Sequence, residues 1–217
     1  MTYTQDYFDN RKYPLKQQLV ERHVLEVLRW ATKALNLNLL DGHGKKALDV
    51  GCAYGYTTHV LEELGYEAYG VDVSKWGIKQ AKTINKSEFI VGDIQNSLPF
   101  SGETFDLVTG FDVLEHLPNP QNAISGLIAA CDGALIFTTP NKRVEKTVRK
   151  FMGDYDQTHI TVKPPSEWKS LIANISAFKD MKVQSFYDLP LRLHGKLFFK
   201  SFNVPVYGLT VRIAVRK

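Results

Sequence analysis

Cysteine is scarce in this chain, with two residues in 217, Cys52 and Cys131. They stand far apart, in none of the spacings that build a zinc site or a dithiol couple, so no metal is expected and both read as reduced, small apolar residues. Charge of one sign is lacking too. Lys and Arg number 27 against 23 Asp and Glu, a net of +4, too slight an excess for a nucleic-acid surface. No apolar run approaches the ~18 residues of a membrane span. The opening MTYTQDYFDN lacks the basic-then-apolar order of a secretion signal. Internal repeats and low-complexity linkers are missing as well. These absences lead to the expectation of one soluble, cytoplasmic domain over 1–217, whose 44% hydrophobic residues suffice for a single α/β core.

What is present is an alternation. Residues 15–37 place Leu15, Leu19, Val24, Leu28, Ala31 and Leu35 on one helical stripe behind Pro14. ALDVG (47–51), EAYGVDV (67–73), EFIVGDI (88–94), FDLVTGFDVL (105–114) and GALIFTTP (133–140) read as strands. Between them lie helices signalled by Gly65 as a left-handed cap, Ser74 as an N-cap, and Asn119 followed by Pro120. Such alternation specifies a parallel sheet with helices on both faces. Beyond residue 141 the rhythm breaks into a basic segment (142–150), a helix from Ser166, and two strand-like runs, KVQSFYDL and YGLTVRIAVRK. The pair suggests an antiparallel finish at one sheet edge. The expected fold class is α/β, a doubly wound, mostly parallel seven-stranded sheet.

In such sheets ligands sit beyond the carboxyl ends of the strands. The first strand there ends in DVGCAYG, glycine-rich but carrying Asp49, which would repel a phosphate. Gly51 and Gly55 with Ala53 between them let the backbone pass close under a ligand. Asp72 ends the second strand, where a carboxylate accepts from both ribose hydroxyls, and Asp93 follows the third, where one accepts from an adenine amine while Ile94 packs on the ring. An adenosine without phosphates and with a charged amino-acid end satisfies all three positions, which describes S-adenosylmethionine. A nicotinamide dinucleotide fits less well. Its fold also places an acid after the second strand, but Thr58 stands where the compact glycine motif needs its third glycine.

From Lys45 to Asn141 the chain resembles the class I S-adenosylmethionine-dependent methyltransferases. ALDVGCAYGY is similar to their first motif, GVDVS to their ribose-binding acid, VGDIQNSLPFSGETFDLV to their adenine segment, and FDVLEHLPNP with TTPN to the small-molecule subgroup. Ala53 departs from the glycine most frequent there. The resemblance implies a Rossmann-like methyltransferase fold, S-adenosylmethionine as cofactor and S-adenosylhomocysteine as product. It implies cofactor contacts at Asp49, Gly51, Cys52, Ala53, Gly55, Asp72, Val73, Asp93, Ile94 and Phe111. It also divides the domain into an N-terminal helical lid (1–40), a cofactor core (45–141) and a substrate side with the last strands (142–217).

Methyl transfer from an activated sulfonium needs mainly positioning, with a general base where the acceptor is a hydroxyl or ammonium. His116 and His159 are the candidates, each with a structural role as its alternative. The acceptor is expected to be a small molecule with an oxygen, nitrogen or carbon nucleophile. Aromatic Tyr3, Tyr7, Phe8 and Tyr13 would either close over the cofactor or simply anchor the first helix. The runs KRVEKTVRKF (142–151) and LRLHGKLFFKSF (191–202) are either solvated faces or a basic, apolar rim touching an amphipathic anion or a membrane surface. A nicotinamide oxidoreductase and a non-catalytic cofactor-binding scaffold stay as alternatives.

Overall fold

A computed structural model describes residues 3–96, 100, 102, 104–149, 151, 156–175, 178–194 and 196–217. Its centre is an eight-stranded sheet in the order β3-β2-β1-β4-β5-β8-β6-β7. Strands β1 (Lys46–Val50), β2 (Glu67–Asp72), β3 (Glu88–Val91), β4 (Phe105–Phe111) and β5 (Cys131–Pro140) run parallel. β1 is buried from Ala47 onward, as a central strand covered on both faces must be. The strand order reverses between β1 and β4, which opens a crevice beyond their carboxyl ends.

Helices α2 (Gln17–Leu35) and α3 (Tyr56–Glu63) cover one face, burying Val24, Val27, Leu28, Ala31 and Val60 against Ala47, Leu107 and Ile136. Helices α5 (Pro120–Ala130) and α7 (Pro165–Ala173) cover the other, where Leu127, Trp168 and Ile172 pack on Phe137, Val211 and Ile213. Each such side chain fully buried stabilises the fold by about 1.5–3 kcal/mol. The expected caps form: Gly65 has φ +91°, Ser74 accepts from the Gly77 amide at 3.0 Å ahead of α4 (Lys75–Ile84), and Asn119 accepts from Asn122. Two of the expected stripe residues stand exposed, Leu15 and, within the helix, Leu19 at 37%. Leu15 is 83% exposed because Lys12, at φ +50°, redirects the chain into a short 3-10 turn over Tyr13–Leu15, and α2 begins only at Gln17. The first helix, α1, is Gln5–Asn10.

The sheet has eight strands rather than the seven expected. The basic and apolar stretch after residue 191 is not a connection: β6 (Asp180–Leu193) and β7 (Lys196–Asn203) form a hairpin, and β8 (Thr210–Arg216) inserts between β5 and β6. The period-two mixture of Leu and Phe with Arg and Lys is itself a strand signature. β6 pairs with β8 only from Asp180 to Phe186 and with β7 from Phe186 to Leu193. Its second half therefore projects past the carboxyl ends of the parallel strands, on the side of the crevice. Short helix α6 (Lys142–Val144) and a π-helical turn over Glu145–Arg149 follow β5. Lys150, Gly195, Asp154, Tyr155, Ser97–Pro99, Ser101 and Glu103 lie outside the described residues, as do the side chains of Arg149, Leu193 and Lys196. No helix among the described residues is long and apolar enough to cross a membrane.

Candidate active site

Asp49 is 1% exposed and points across the switch point, accepting from Thr109 Oγ1 of β4 at 2.9 Å and Thr58 Oγ1 of α3 at 3.3 Å. Burial pushes its carboxyl up to about 8; the two hydroxyls pull the other way, and the nearby Asp72 charge adds to the rise. Thr58, at the place where a dinucleotide fold would want glycine, is thus a partner of the acid.

The turn that follows carries Gly51, Ala53 and Gly55 at φ +68°, +47° and +75°. Four of its amides are spent inside the protein. Gly51 and Cys52 donate to the Val71 carbonyl, Gly55 donates to that of Cys52, and Ala53 donates to Asp72 Oδ2 at 2.8 Å. Anion-binding glycine loops need such amides free, and these four are not. A side chain at Gly51 would stand 2.2 Å from Val113 Cγ2. Left-handed Ala53 costs about 1–2 kcal/mol, a strain held in place by the bond to Asp72.

Asp72 accepts from Ser74 N at 2.6 Å as well. Burial raises its carboxyl and the two amides counter that. Val73 and Val91 stand beside it half exposed, at 50% and 45%, an apolar wall at the ends of β2 and β3. Ile94 is buried and follows Asp93, whose carboxylate accepts from Gln95 N and Asn96 Nδ2. The Cys52 thiol faces away into a cluster with Ile78, Ala81 and Phe89, so only its backbone faces the turn. Two carboxylates, a turn with spent amides and an apolar wall fit a phosphate-free, positively charged nucleoside. They do not fit a pyrophosphate.

The N-terminal segment crosses this crevice. Ser74 Oγ donates to the Tyr3 carbonyl at 2.5 Å, while the Tyr3 ring meets His116 edge-on at 5.9 Å. Tyr7 donates to Asp156 at 3.2 Å, and Arg11 pairs with the same carboxylate at 2.5 Å. Phe8 is buried against Tyr13 and Tyr54, and Tyr13 stacks on Tyr56. Burial drives the Tyr13 hydroxyl's pKa far up, with Asp49 and Asp72 adding to the rise.

Beyond the end of β4 the two candidate histidines come together, their ring centroids 4.8 Å apart. His116 ends a 3-10 turn (Leu114–His116) after β4. Its Nδ1 lies 3.2 Å from the Thr158 carbonyl and 2.9 Å from Thr158 Oγ1, which itself donates to Asp156 at 2.7 Å. A carbonyl only accepts, so Nδ1 carries the hydrogen and Nε2 the lone pair. Burial lowers the His116 pKa, and His159 lowers it further. His159 Nδ1 bonds the buried Glu145, and its Nε2 lies 3.6 Å from Asp156 and 3.8 Å from Glu115. Glu115 is fully buried, and its carbonyl accepts from Ile160 and Thr161, lashing this segment to the β4 turn. Ligand atoms of Glu115, His116 and His159 lie within 4.8 Å of one another. Asp112, before the turn, holds a left-handed φ of +53° and accepts from Thr138 Oγ1 at 3.3 Å. Non-glycine residues so strained cluster at functional sites.

Sequence reasoning missed Glu145, Asp156 and Thr158. Two of them had a signal: Glu145 is the one acid in a basic run, and Asp156 stands three residues before His159. Of the far wall, sequence reasoning named Phe111 but not His23, Asp188 or Arg212. Phe111, half buried at the end of β4, faces His23 of α2 at 6.4 Å, and His23 approaches Phe199 of the hairpin at 5.8 Å and Asp188 at 3.8 Å. Buried Arg212 donates to Asp188 and Ser201. Nothing local in the sequence joins these residues, because the β6–β8 pairing does so.

Similarity to known proteins follows the same lines. The chain is 28% identical over 154 residues to a ubiquinone biosynthesis O-methyltransferase of Photobacterium profundum, covering 64% of each chain. It is 34% identical over 119 residues to that of an Azoarcus species, covering 50% of this chain and 51% of the other. The chain thus spans between half and two-thirds of the length of these relatives. In fold it resembles a SAM-dependent methyltransferase from Archaeoglobus fulgidus, with a TM-score of 0.70 at 19% identity over 99% of this chain and 100% of that one. It also resembles the magnesium protoporphyrin IX methyltransferase of Synechocystis PCC 6803 with bound SAH, with a TM-score of 0.65 at 17% identity over 99% and 96%. Residues 20–175 match the methyltransferase-domain family, and with the crevice described above this chain belongs to that family.

Proposed function

We propose that the protein transfers the methyl group of S-adenosylmethionine to a hydroxyl oxygen of a small amphipathic molecule and releases S-adenosylhomocysteine. The observation that carries this reading is the pairing of Asp49 and Asp72 around a turn whose Gly51, Cys52, Ala53 and Gly55 amides are already bonded. Asp72 keeps lone pairs for ribose hydroxyls, Val73 and Val91 offer a wall for the base, and Asp49 faces the cationic end. Asp93 with Ile94 is assigned to the adenine edge, and Phe111 to the side where the acceptor meets the cofactor.

When bound, the cofactor supplies an electrophilic methyl carbon: the C–O bond forms as the C–S bond breaks, and the hydroxyl proton is left to the protein. His116 Nε2 is the assigned acceptor of that proton. Its Nδ1–H is directed by Thr158, whose hydroxyl leans on Asp156, so the imidazolium that forms is stabilised through a fixed chain of hydrogen bonds. His159 sits behind it. The N-terminal segment, bonded at Ser74 and Asp156, serves as a lid that keeps water from the sulfonium.

The oxygen and the amphipathic character draw on the names of the relatives and on the hairpin. Cross-strand pairs Tyr187–Phe202, Leu189–Lys200 and Leu191–Phe198 form one face of it, and all five apolar members are 37–49% exposed. Lys142 and Arg143 are exposed at the same end of the sheet. An apolar face with cations at its rim suits an anionic lipid surface from which such an acceptor would be drawn.

The experiment is incubation of the protein with methyl-labelled S-adenosylmethionine and fractionated cell extract, followed by mass spectrometry. The expected result is label on an oxygen of an amphipathic small molecule. Binding of S-adenosylhomocysteine without transfer to any fraction would favour a non-catalytic scaffold, and thermal stabilisation by NAD in its place would favour an oxidoreductase.

A further inference from the structure

The far wall of the crevice holds another imidazole, His23, beside buried groups whose bonding positions are still open. Register across the sheet sets Phe111, Thr138 and Arg212 side by side, so Arg212 lies level with the carboxyl end of β4. It donates to Asp188 Oδ1 and to Ser201, and Ser201 donates to the same Asp188 oxygen at 2.6 Å. Asp188 Oδ2 and Arg212 Nε are buried and have no hydrogen-bond partner among the described residues. An open lone pair on a buried carboxylate is costly unless a donor turns to it. His23 Nδ1 stands 3.8 Å from that oxygen, longer than a hydrogen bond, and a small turn of the ring closes the gap. The Asp188 side chain is 8% exposed against 22% for that of His23. A ligand therefore reaches this acid only through the imidazole.

We infer that His23, directed by Asp188, recognises the methyl acceptor on this wall by accepting a hydrogen bond from a second donor, a hydroxyl or N–H that the acceptor carries apart from the hydroxyl that is methylated. The inference rests on the hydroxyl-methylating reading and deepens it by naming what else the acceptor carries. An Nδ1 that faces a carboxylate keeps the hydrogen, so Nε2 keeps the lone pair. With Nδ1 turned to the hairpin, Nε2 turns to the β4 side, where the Phe111 ring lies 6.4 Å away; Phe199 flanks the imidazole at 5.8 Å. Burial lowers the His23 pKa; Asp188 opposes this and Arg212 reinforces it. A neutral ring accepts at Nε2. The charge of Asp112, next to Phe111, acts on His23 and His116 alike, so both imidazoles lie within its reach at the end of β4. In this arrangement His116 takes the proton of the reacting hydroxyl. His23 holds the second donor and so sets which hydroxyl meets the methyl group. Asp188 and Arg212 touch no ligand and act as positioning residues.

The test is calorimetry of the full chain loaded with S-adenosylhomocysteine and titrated with hexylresorcinol, which has two hydroxyls, and with hexylphenol, which has one. Wild type should bind hexylresorcinol about 3–10-fold more tightly, the worth of one hydrogen bond. His23→Phe keeps an aromatic ring between Phe111 and Phe199 and removes both nitrogens, and it should bring the two probes to nearly equal affinity. His23→Gln, which offers an amide oxygen, should keep part of the preference. Stabilisation by S-adenosylhomocysteine reports that each variant is folded. A ring that only packs would shift both probes alike, so their ratio separates recognition from structure. No binding of either probe by wild type, equal binding of the two, or a preference that survives His23→Phe overturns the inference. A preference lost in His23→Phe, with no label passed to either probe from methyl-labelled S-adenosylmethionine, supports the His23 site and counts against the hydroxyl reading instead.

Discussion

The two halves of the crevice are built on different principles. On the cofactor side, Asp49, Gly51, Ala53, Gly55 and Asp72 come from two consecutive strand ends, and their bonds run mainly through backbone amides. On the acceptor side, His116 meets Thr158 and His159 meets Glu145 through side chains drawn from three separate loops. The first arrangement suits recognition of a nucleoside by backbone shape and by acids, of which Asp49 holds its proton to about 8. The second, in the function proposed above, would take up a proton. Variants on the cofactor side should therefore change binding, and variants on the acceptor side should change turnover.

The largest effect is expected on the acceptor side. His116→Ala should lower kcat about 10²–10⁴-fold with cofactor affinity unchanged, measured by labelled-methyl transfer and calorimetry. A parallel loss of cofactor affinity would blur the division. Gly51→Ala comes next, since left-handed backbone at φ +68° and a Cβ 2.2 Å from Val113 should destabilise the fold by about 2–4 kcal/mol, seen in urea unfolding. Asp72→Ala should weaken cofactor binding by about 1–3 kcal/mol, because the ribose hydroxyls and the Ala53 and Ser74 amides lose their acceptor. Its kcat at saturating cofactor should hold.

The same division governs what could be read in the sequence. Asp49 and Asp72 were legible because each ends a strand next to a turn signal, and strand ends are local features. Ser74, Asn119 and Gly65 were legible as caps for the same reason. Leu15 was misplaced because helical periodicity says nothing of the left-handed turn at Lys12. The eighth strand was hidden because strands recognised by long-range pairing resemble any short apolar run, and β7 is an edge strand paired only with β6. His116 and His159 could be named separately, yet their union through Glu115, Thr158 and Asp156 is a product of tertiary packing. Arg212 shows the limit: 1% exposed and bonded to Asp188 and Ser201, it looks in sequence like a surface cation.

A smaller effect sharpens the comparison at the rim. Leu191→Ser and Phe198→Ser together should reduce sedimentation with anionic vesicles several-fold, as lost apolar contact predicts, without altering transfer to a soluble acceptor. Equal sedimentation of wild type and variant would remove the hairpin from any lipid contact.

The electrostatic claim on the cofactor side also fixes a pH dependence. An unfolded chain releases the Asp49 proton near the ordinary carboxylate value, whereas burial in the fold holds it to about 8. Between those values the folded state binds more protons, so this group makes the unligated protein less stable as pH rises toward 8. Asp49→Asn should remove that slope in thermal melts taken across the range.

The most direct measurement is calorimetry of S-adenosylmethionine binding at pH 7 in buffers of different ionisation heat. A cationic ligand beside Asp49 should expel its proton, so the observed enthalpy should vary with the buffer in the wild type and lose that variation in Asp49→Asn. An enthalpy that ignores the buffer in both proteins would contradict the placement of the cationic end against this acid.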